Sequence, residues 1–352
     1  MAKPTKPKAL TVELPPQLLS DLRALIDQER QSLAQAVNSS LVRLYWQIGH
    51  RIRTDLLKEK RAEYGEQVVH ALSKPLAIEF GPGFGRTNLF HMVRFAQVFP
   101  EPQIVHALSG QFGWTHFRQL IYLKEPLQRE FYAELCRLER WSTRTLAAKI
   151  QSMLYERTAI SRKPGALARQ ELQQLREDDR LTPDLIFRDP YVLDFLGLRD
   201  TFSEKDLEAA ILRELQGFLS ELGTDFAFIA RQKRITIGGE DHYLDLLFYH
   251  RRLRRLVVVV DLKLEKFQAA DKGQMELYLR WLAKHERQPH EEAPLGLILC
   301  ASKSQEYVEL LELEKTGIRV AEYLTELPPP QVLKRKLHDA LQVARESLRD
   351  QT

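Results

Sequence analysis

The sequence predicts two parts: an all-α N-terminal domain, then an α/β core in which a mixed sheet is flanked by helices. Three observations predict this. Residues 17–157 place apolar side chains at helical spacing over long runs. From residue 226 onward, short apolar and β-branched runs alternate with helical stretches, the order that builds a helix-covered sheet. Between the two, Lys163-Pro164-Gly165 breaks structure and the charged run REDDR follows it, which sets a linker at 158–185.

The elements follow in chain order. Residues 1–16 are basic and proline-rich and read as a flexible tail. The run LLSDLRALIDQERQSLAQAVNSSLVRLYWQIGHRI predicts one long helix. The cluster FGPGFGR at 80–86 lacks a preceding strand and a Lys-Ser/Thr ending, so it predicts a turn before the helix TNLFHMVRFAQVF, not a phosphate loop. Residues 104–108, a turn at 109–113 and a helix at 114–123 suggest a helix-turn-helix, whose second helix carries Thr115, His116, Arg118 and Gln119. A second candidate, 142–153, offers Thr143, Arg144 and Lys149. Ordinary bundle helices with polar outer faces would give the same pattern.

The second domain is set at 186–330. Ser203 with Asp206 three residues later predicts a capped helix start, and the helix runs over 203–222. Strands follow at 226–237, 242–250 and 255–263, then a helix at 270–284, a strand at 295–300, a helix at 304–314 and a strand at 318–323. Pro328-Pro329-Pro330 ends the domain, and 331–352 predicts a C-terminal helix.

The chemistry concentrates on the hairpin 242–263. Its only polar break is HRRLRR, and a turn centred on Leu253 would set Asp245 directly across from Asp261. Strand alternation would turn Asp261 and Lys263 to one face. Carboxylates that close repel one another unless a cation sits between them, and a hard divalent ion with oxygen ligands fits, Mg2+ above all. Lys263 beside them suits an anionic substrate or a metal-bound water, which is chemistry for phosphodiester hydrolysis. The same residues would also serve as solvated strand-end charges, with Asp245 paired to a turn arginine. Upstream, Glu208 borders the apolar stripe of its helix and needs a partner there, unless it sits at an exposed stripe edge. Downstream, Gln274 and Tyr278 are four apart and share a helix face.

A helix with Glu208, a strand with Asp245, a strand with Asp261-Leu262-Lys263 and then Gln274-x-x-x-Tyr278 resembles the PD-(D/E)XK nuclease superfamily, the last element as in RecB-like exonucleases. The stretch from FLSELGTDFAFIARQKRITI through PLGLILC resembles the YhcG-like family of bacterial proteins, in which a helical domain precedes the nuclease domain. The resemblance covers roughly residues 32 to 330 and implies a restriction-endonuclease-like core. It makes Glu208, Asp245 and Asp261 metal ligands, Lys263 the catalytic lysine, and Gln274 and Tyr278 site-lining residues. The implied cofactor is Mg2+, with Mn2+ as a substitute. Two departures stand out: Leu244 precedes Asp245 where the family pattern has proline, and Asp261 stands where the family more often has glutamate.

Composition agrees with such a protein. The chain has 352 residues, 44% hydrophobic and 28% charged, enough for two domains with cores of their own. No apolar run approaches the roughly 20 residues that span a bilayer, and the N-terminus lacks the apolar core of a signal peptide. Cys136 and Cys300 offer neither zinc spacing nor a disulfide framework, which points to a reducing, cytoplasmic setting. Residues 1–160 hold 22 Lys/Arg against 15 Asp/Glu, and 161–352 hold 30 against 33, so the positive surplus is N-terminal and favours an anionic polymer. Arg231, Lys233, Arg234, Arg118, Arg144 and Lys149 are the candidate backbone contacts for DNA. The turn arginines 251, 252, 254 and 255 are further candidates for contact, for solubility or for a second subunit. One constellation per chain implies a homodimer or higher homo-oligomer if duplex is cut. The rival readings are a non-catalytic DNA-binding or assembly protein that keeps the nuclease fold, and an RNase.

Overall fold

The computed structural model describes residues 16–58, 62–198, 202–326, 328, 331–333, 335 and 337, and the side chains of 16, 18, 19, 55–58, 62–65, 258–261 and 314 lie outside that description. Residues 1–15 of the expected tail and most of the expected C-terminal helix are likewise outside it. The chain divides into two compact units after Leu123.

The first unit is helical: α1 (Pro16–Lys58), α2 (Ala62–Phe80), α3 (Arg86–Val98), α4 (Pro102–Ser109) and α5 (Trp114–Leu120). The long predicted helix is present as α1, 43 residues, roughly 65 Å at 1.5 Å per residue. Its second half packs on α3, and Gly49 makes the crossing close, because a Cβ there would stand 1.9 Å from the Met92 carbonyl oxygen. Trp46 donates its indole N–H to the Phe99 carbonyl at 2.7 Å, and Phe95, Phe99, Phe112, Phe117 and Trp114 pack ring to ring. The FGPGFGR segment forms a turn of 3-10 helix at Pro82–Phe84 with Gly81 at φ 94°, a conformation glycine takes without steric cost.

The second unit opens with α6 (Pro126–Glu139), α7 (Thr143–Gln151), α8 (Leu154–Arg157), α9 (Gly165–Asp178) and α10 (Pro183–Ile186). The expected linker, 158–185, therefore contains α9, and Ala168, Leu172 and Leu175 on that helix are buried. Then come β1 (Tyr191–Val192), α11 (Glu204–Arg213), α12 (Leu215–Leu222), β2 (Phe226–Ile237), β3 (Glu240–His250), β4 (Arg255–Lys266), α13 (Ala269–His285), β5 (Leu295–Ser302), α14 (Gln305–Leu310) and β6 (Ile318–Leu324). The sheet order is β1-β6-β5-β4-β3-β2. β2, β3 and β4 are antiparallel neighbours, and β4, β5, β6 and β1 run parallel. This is the mixed, helix-flanked sheet that the sequence predicts.

One face of the sheet buries Leu246, Phe248, Val257, Leu262 and Leu297 against Leu207 and Ile211 of α11 and Phe218 of α12. The other buries Leu244, Leu247, Ile298 and Val320 against Met275, Tyr278 and Leu282 of α13. Gly296 lets α13 lie close, since a Cβ there would come 2.6 Å from the Met275 sulfur. The predicted helix 203–222 is two helices broken at Glu214, whose φ and ψ of −103° and 34° leave the helical range. The Ser203–Asp206 capping box forms as expected: the Ser203 hydroxyl accepts from the Asp206 N–H at 3.1 Å, and the Asp206 carboxylate accepts from the Ser203 N–H at 2.9 Å.

Buried ion pairs tie the early helices to the sheet. The Arg157 guanidinium, wholly buried on α8, reaches Glu221 of α12, which also accepts from the Val192 N–H of β1. Asp189 receives Arg162 and Lys303 and accepts from the Glu322 N–H of β6. Those partners hold its carboxyl below the ordinary range despite burial that pushes the other way.

Candidate active site

The expected register of the hairpin needs a correction. His250 pairs with Arg255 and Leu246 with Val259, so the loop 251–254 has four residues and its centre falls between residues 252 and 253. Carried one step further, that register sets Asp245 against Val260, one residue away from Asp261. The cause is the loop itself, in which Arg254 takes a left-handed φ of 51° and closes a four-residue turn. β4 is irregular beyond this point: Val260 pairs with Ile298 but Lys263 with Cys300, so β4 carries one residue more than β5. Asp261 and Leu262 fall within that bulge, a feature that re-aims side chains and is enriched beside active sites. Leu262 packs into the layer with α11, whereas Lys263 extends to Asp271 of α13 at 3.9 Å. The Asp261 side chain is outside the described residues.

Glu208 and Asp245 are brought together. Glu208 is buried on α11, as expected of an acid beside an apolar stripe, and it has the partners such an acid needs. Its Oε1 accepts from Arg231 Nε at 2.8 Å and from Gln232 Nε2 at 3.2 Å. The same Gln232 nitrogen donates to Asp245 Oδ1 at 2.9 Å. Both strands are distorted here. Gln232 takes a left-handed φ of 45°. On either side of Asp245 the strand hands its leucines to opposite layers, Leu246 to the α11 side and Leu244 to the α13 side. Regular alternation would put those two leucines on one face, so Asp245 sits at a wrinkle in β3.

Gln274 and Tyr278 meet on α13, where Gln274 Nε2 donates to the Tyr278 hydroxyl at 2.6 Å. Tyr278 is buried, edge-on to His242 of β3 at a ring-centre distance of 6.1 Å. The candidate DNA-contacting residues are mostly engaged within the chain. Arg231 pairs with Glu208, Lys233 with Glu286 at 3.1 Å, and Arg234 with Asp241 at 2.8 Å. Lys149 donates to the Ser220 carbonyl at 2.9 Å, and burial pushes its ammonium down to about 8. Arg118 and Arg144 are exposed. Of the turn arginines, Arg252 pairs with Asp225, and Arg254 and Arg255 approach Glu292. In the first unit the second helix of the expected helix-turn-helix is α5, and His116 turns its Nδ1 back to accept from the Gly113 N–H at 3.2 Å.

Sequence reasoning missed Gln232 altogether and assigned Arg231 only to phosphate contact. Both lie in the ordinary-looking strand FAFIARQKRITI, where only the position of Glu208 on a distant helix gives them a role.

The donor chemistry fits a hard divalent cation. Glu208 and Asp245 each direct a carboxylate oxygen at one point, and carboxylate oxygens are the ligands Mg2+ and Mn2+ take. Among the described residues no three His, Cys, Asp or Glu side chains gather closely enough to hold an ion. The third candidate ligand, Asp261, belongs to the undescribed side chains.

A helix-flanked mixed sheet with acids from α11 and β3 and an Asp-x-Lys on β4 defines the class, an α/β domain of the PDDEXK nuclease type. Residues 184–340 match the YhcG PDDEXK nuclease domain, and residues 21–157 match the DUF1016 N-terminal domain. The YhcG protein of Escherichia coli (strain K12) is 35% identical over 336 residues, spanning 86% of this chain and 88% of its own length. The chain belongs to the YhcG family, a DUF1016 N-terminal domain joined to a PDDEXK nuclease domain. Nucleases of this type typically depend on a divalent metal. Two solved structures are similar over part of the chain. A repair endonuclease from Pyrococcus abyssi is 20% identical with a TM-score of 0.25, over 38% of this chain and 50% of its own. EndoMS in its apo form is 17% identical with a TM-score of 0.24, over 37% and 49%. This chain thus spans about half the length of each.

Proposed function

We propose that this protein hydrolyses phosphodiester bonds of DNA in a Mg2+-dependent reaction, with Mn2+ able to substitute. The observation that carries the reading is the convergence of Glu208 and Asp245 on one nitrogen, in a domain of the PDDEXK family. In this reading Glu208, Asp245 and Asp261 hold the ion, which when bound supplies an activated water and offsets charge on the phosphate. Lys263 stabilises the developing negative charge by its own positive charge. Gln274 and Tyr278 orient the phosphate or the nucleophile through their shared hydrogen bond. Arg118 and Arg144, both exposed, serve as backbone contacts, which makes binding sensitive to salt. The role is in defence against foreign DNA, repair or recombination.

Assembly as a homodimer goes with this reading, because cutting both strands of a duplex requires two sites and each chain supplies one. Along α1 between residues 22 and 44, Leu22, Leu25, Ile26, Leu33, Val37, Leu41 and Leu44 are exposed and fall on one stripe. A row of large apolar side chains on that scale favours burial against a second copy. No helix of the described residues is long and apolar enough to cross a membrane, and Cys136 and Cys300 are both unbridged and buried, in keeping with work in the cytoplasm.

The test is to incubate the purified full chain with linear, circular, single-stranded and branched DNA and with RNA, with Mg2+ and with a chelator. Cleavage of DNA only when Mg2+ is present is the expected result. Cleavage of RNA alone would make it an RNase, and tight binding without cleavage of any substrate would favour a DNA-binding or assembly protein.

A further inference from the structure

Gln232 bridges the two acids of the site without bringing a charge of its own, which a lysine or arginine in its place would do. A primary amide carries two N–H donors on one nitrogen, and here that nitrogen serves Glu208 Oε1 at 3.2 Å and Asp245 Oδ1 at 2.9 Å. The orientation is fixed by chemistry, since ionised carboxylates only accept hydrogen bonds and so the NH2 side must face them. Two carboxylates held this close need positive charge or donors between them. Arg231 answers for Glu208 alone, and Gln232 is what joins the pair.

A neutral bridge has a particular consequence. A lysine at 232 would neutralise the acids and lock the site, whereas an amide holds their oxygens in place and leaves their negative charge undiminished. The lone pairs it occupies are those a cation would take. Gln232 is also placed to leave: its side chain is exposed, and its φ of 45° is a backbone setting that residues other than glycine seldom adopt unless local structure imposes it.

Resting on the metal-dependent reading above, we propose that Gln232 is the resting-state partner of the metal site. Its amide occupies the position between Glu208 and Asp245 that the divalent ion takes, so that bridging and ion binding exclude one another. Gln232 therefore keeps the two acids assembled before the ion arrives and sets how tightly the ion is held.

The test uses the full chain, titrated calorimetrically with Mn2+ and with Mg2+, as wild type and as Gln232→Met, which keeps the length and loses the donors. Without the competing bridge, the variant is expected to bind the ion about tenfold more tightly, a factor equal to about 1.4 kcal/mol. Its metal-free melting temperature is expected to fall, because the carboxylates then face each other unbridged. A second measurement needs no variant. In wild-type chain carrying 15N-labelled glutamine, the Gln232 side-chain NH2 resonances are expected to sit at hydrogen-bonded proton shifts without metal and to move to free-amide positions on saturation with Mg2+. Unchanged or weaker ion binding in Gln232→Met, or NH2 resonances still at hydrogen-bonded positions at saturating Mg2+, would overturn the proposal and leave the nuclease reading standing. Failure of the wild type to bind either ion would overturn both.

Discussion

Glu208 of α11 and Asp245 of β3 accept hydrogen bonds from the same nitrogen, Gln232 Nε2, at 3.2 and 2.9 Å. A buried acid at the edge of an apolar helix stripe is costly alone, so this link explains how Glu208 is tolerated where the sequence puts it. It also joins the helix layer to the hairpin at the point where both strands lose their regular alternation.

His250 is expected to make the fold acid-sensitive. It is buried at the end of β3, and its Nδ1 accepts from the Leu253 N–H at 3.1 Å, which holds the four-residue loop. Burial pushes its pKa from 6.5 down to about 4, with Asp225 opposing the shift and Arg252 and Arg255 adding to it. The unfolded chain therefore binds a proton that the folded chain refuses between those values, and stability falls as pH drops through 6.5 toward 4. The loss should reach about 3 kcal/mol by pH 4. Urea unfolding at pH 7, 5.5 and 4.5 reads it, and His250→Asn should flatten the slope. Equal slopes in both proteins would remove His250 as the cause.

Arg157 anchors the early helices to the sheet. Its side chain is wholly buried and meets Glu221, which Arg188 also approaches at 3.0 Å. Arg157→Met leaves a buried carboxylate short of a partner, and breaking such a pair costs about 3–5 kcal/mol. Chemical denaturation measures this, and a change below about 1 kcal/mol would mean the pair is not structural.

Chain cuts should respect these contacts. A fragment of residues 1–123 is expected to give a cooperative helical melt and, through exposed residues such as Arg118, weak salt-sensitive DNA binding. A fragment of 1–157 would strip Arg157 of Glu221 and of the Pro190 carbonyl, and should expose apolar surface on α6 and α8. Circular dichroism melts and anisotropy titrations at low salt compare the two. A cleaner melt from 1–157 would count against the placement of α6–α8 with the second unit.

The stripe on α1 predicts a dimer at micromolar concentration by light scattering. Leu33 and Val37 are 67% and 59% exposed, so glutamate at either costs the single chain little fold stability. Leu33→Glu with Val37→Glu should give a monomer of unchanged helical content. A wild-type monomer, with nicks in only one strand, would instead favour a nickase or exonuclease.

Much of this was legible in the sequence. Apolar runs of strand length marked β2 to β6, and Ser203 with Asp206 marked the start of α11. Helical spacing marked α1 over nearly its whole length. Asp245 and Glu208 were readable as acids in apolar surroundings. The hairpin register was not, because the loop 251–254 closes with Arg254 in a left-handed conformation that composition does not reveal. The segment 158–185, read as a linker, also holds a helix. Lys163-Pro164-Gly165 does break the chain, but Ala168, Leu172 and Leu175 follow at helical spacing and are buried on α9. Gln232 and Arg231 were invisible as site residues, since their partner is a glutamate on another element and nothing local announces it.

The proposed function requires Asp245, Asp261 and Lys263 to act together at a metal-dependent phosphodiesterase site. The measurement that tests it most directly is the single-turnover cleavage rate of DNA with Mg2+, for the wild type and for Asp245→Ala, Asp261→Ala and Lys263→Ala, alongside DNA affinity and melting temperature. Each variant is expected to lose at least about 100-fold in rate while DNA binding and fold survive. Wild-type rates in any of the three would contradict the assignment of that residue, and wild-type rates in all three would contradict the site.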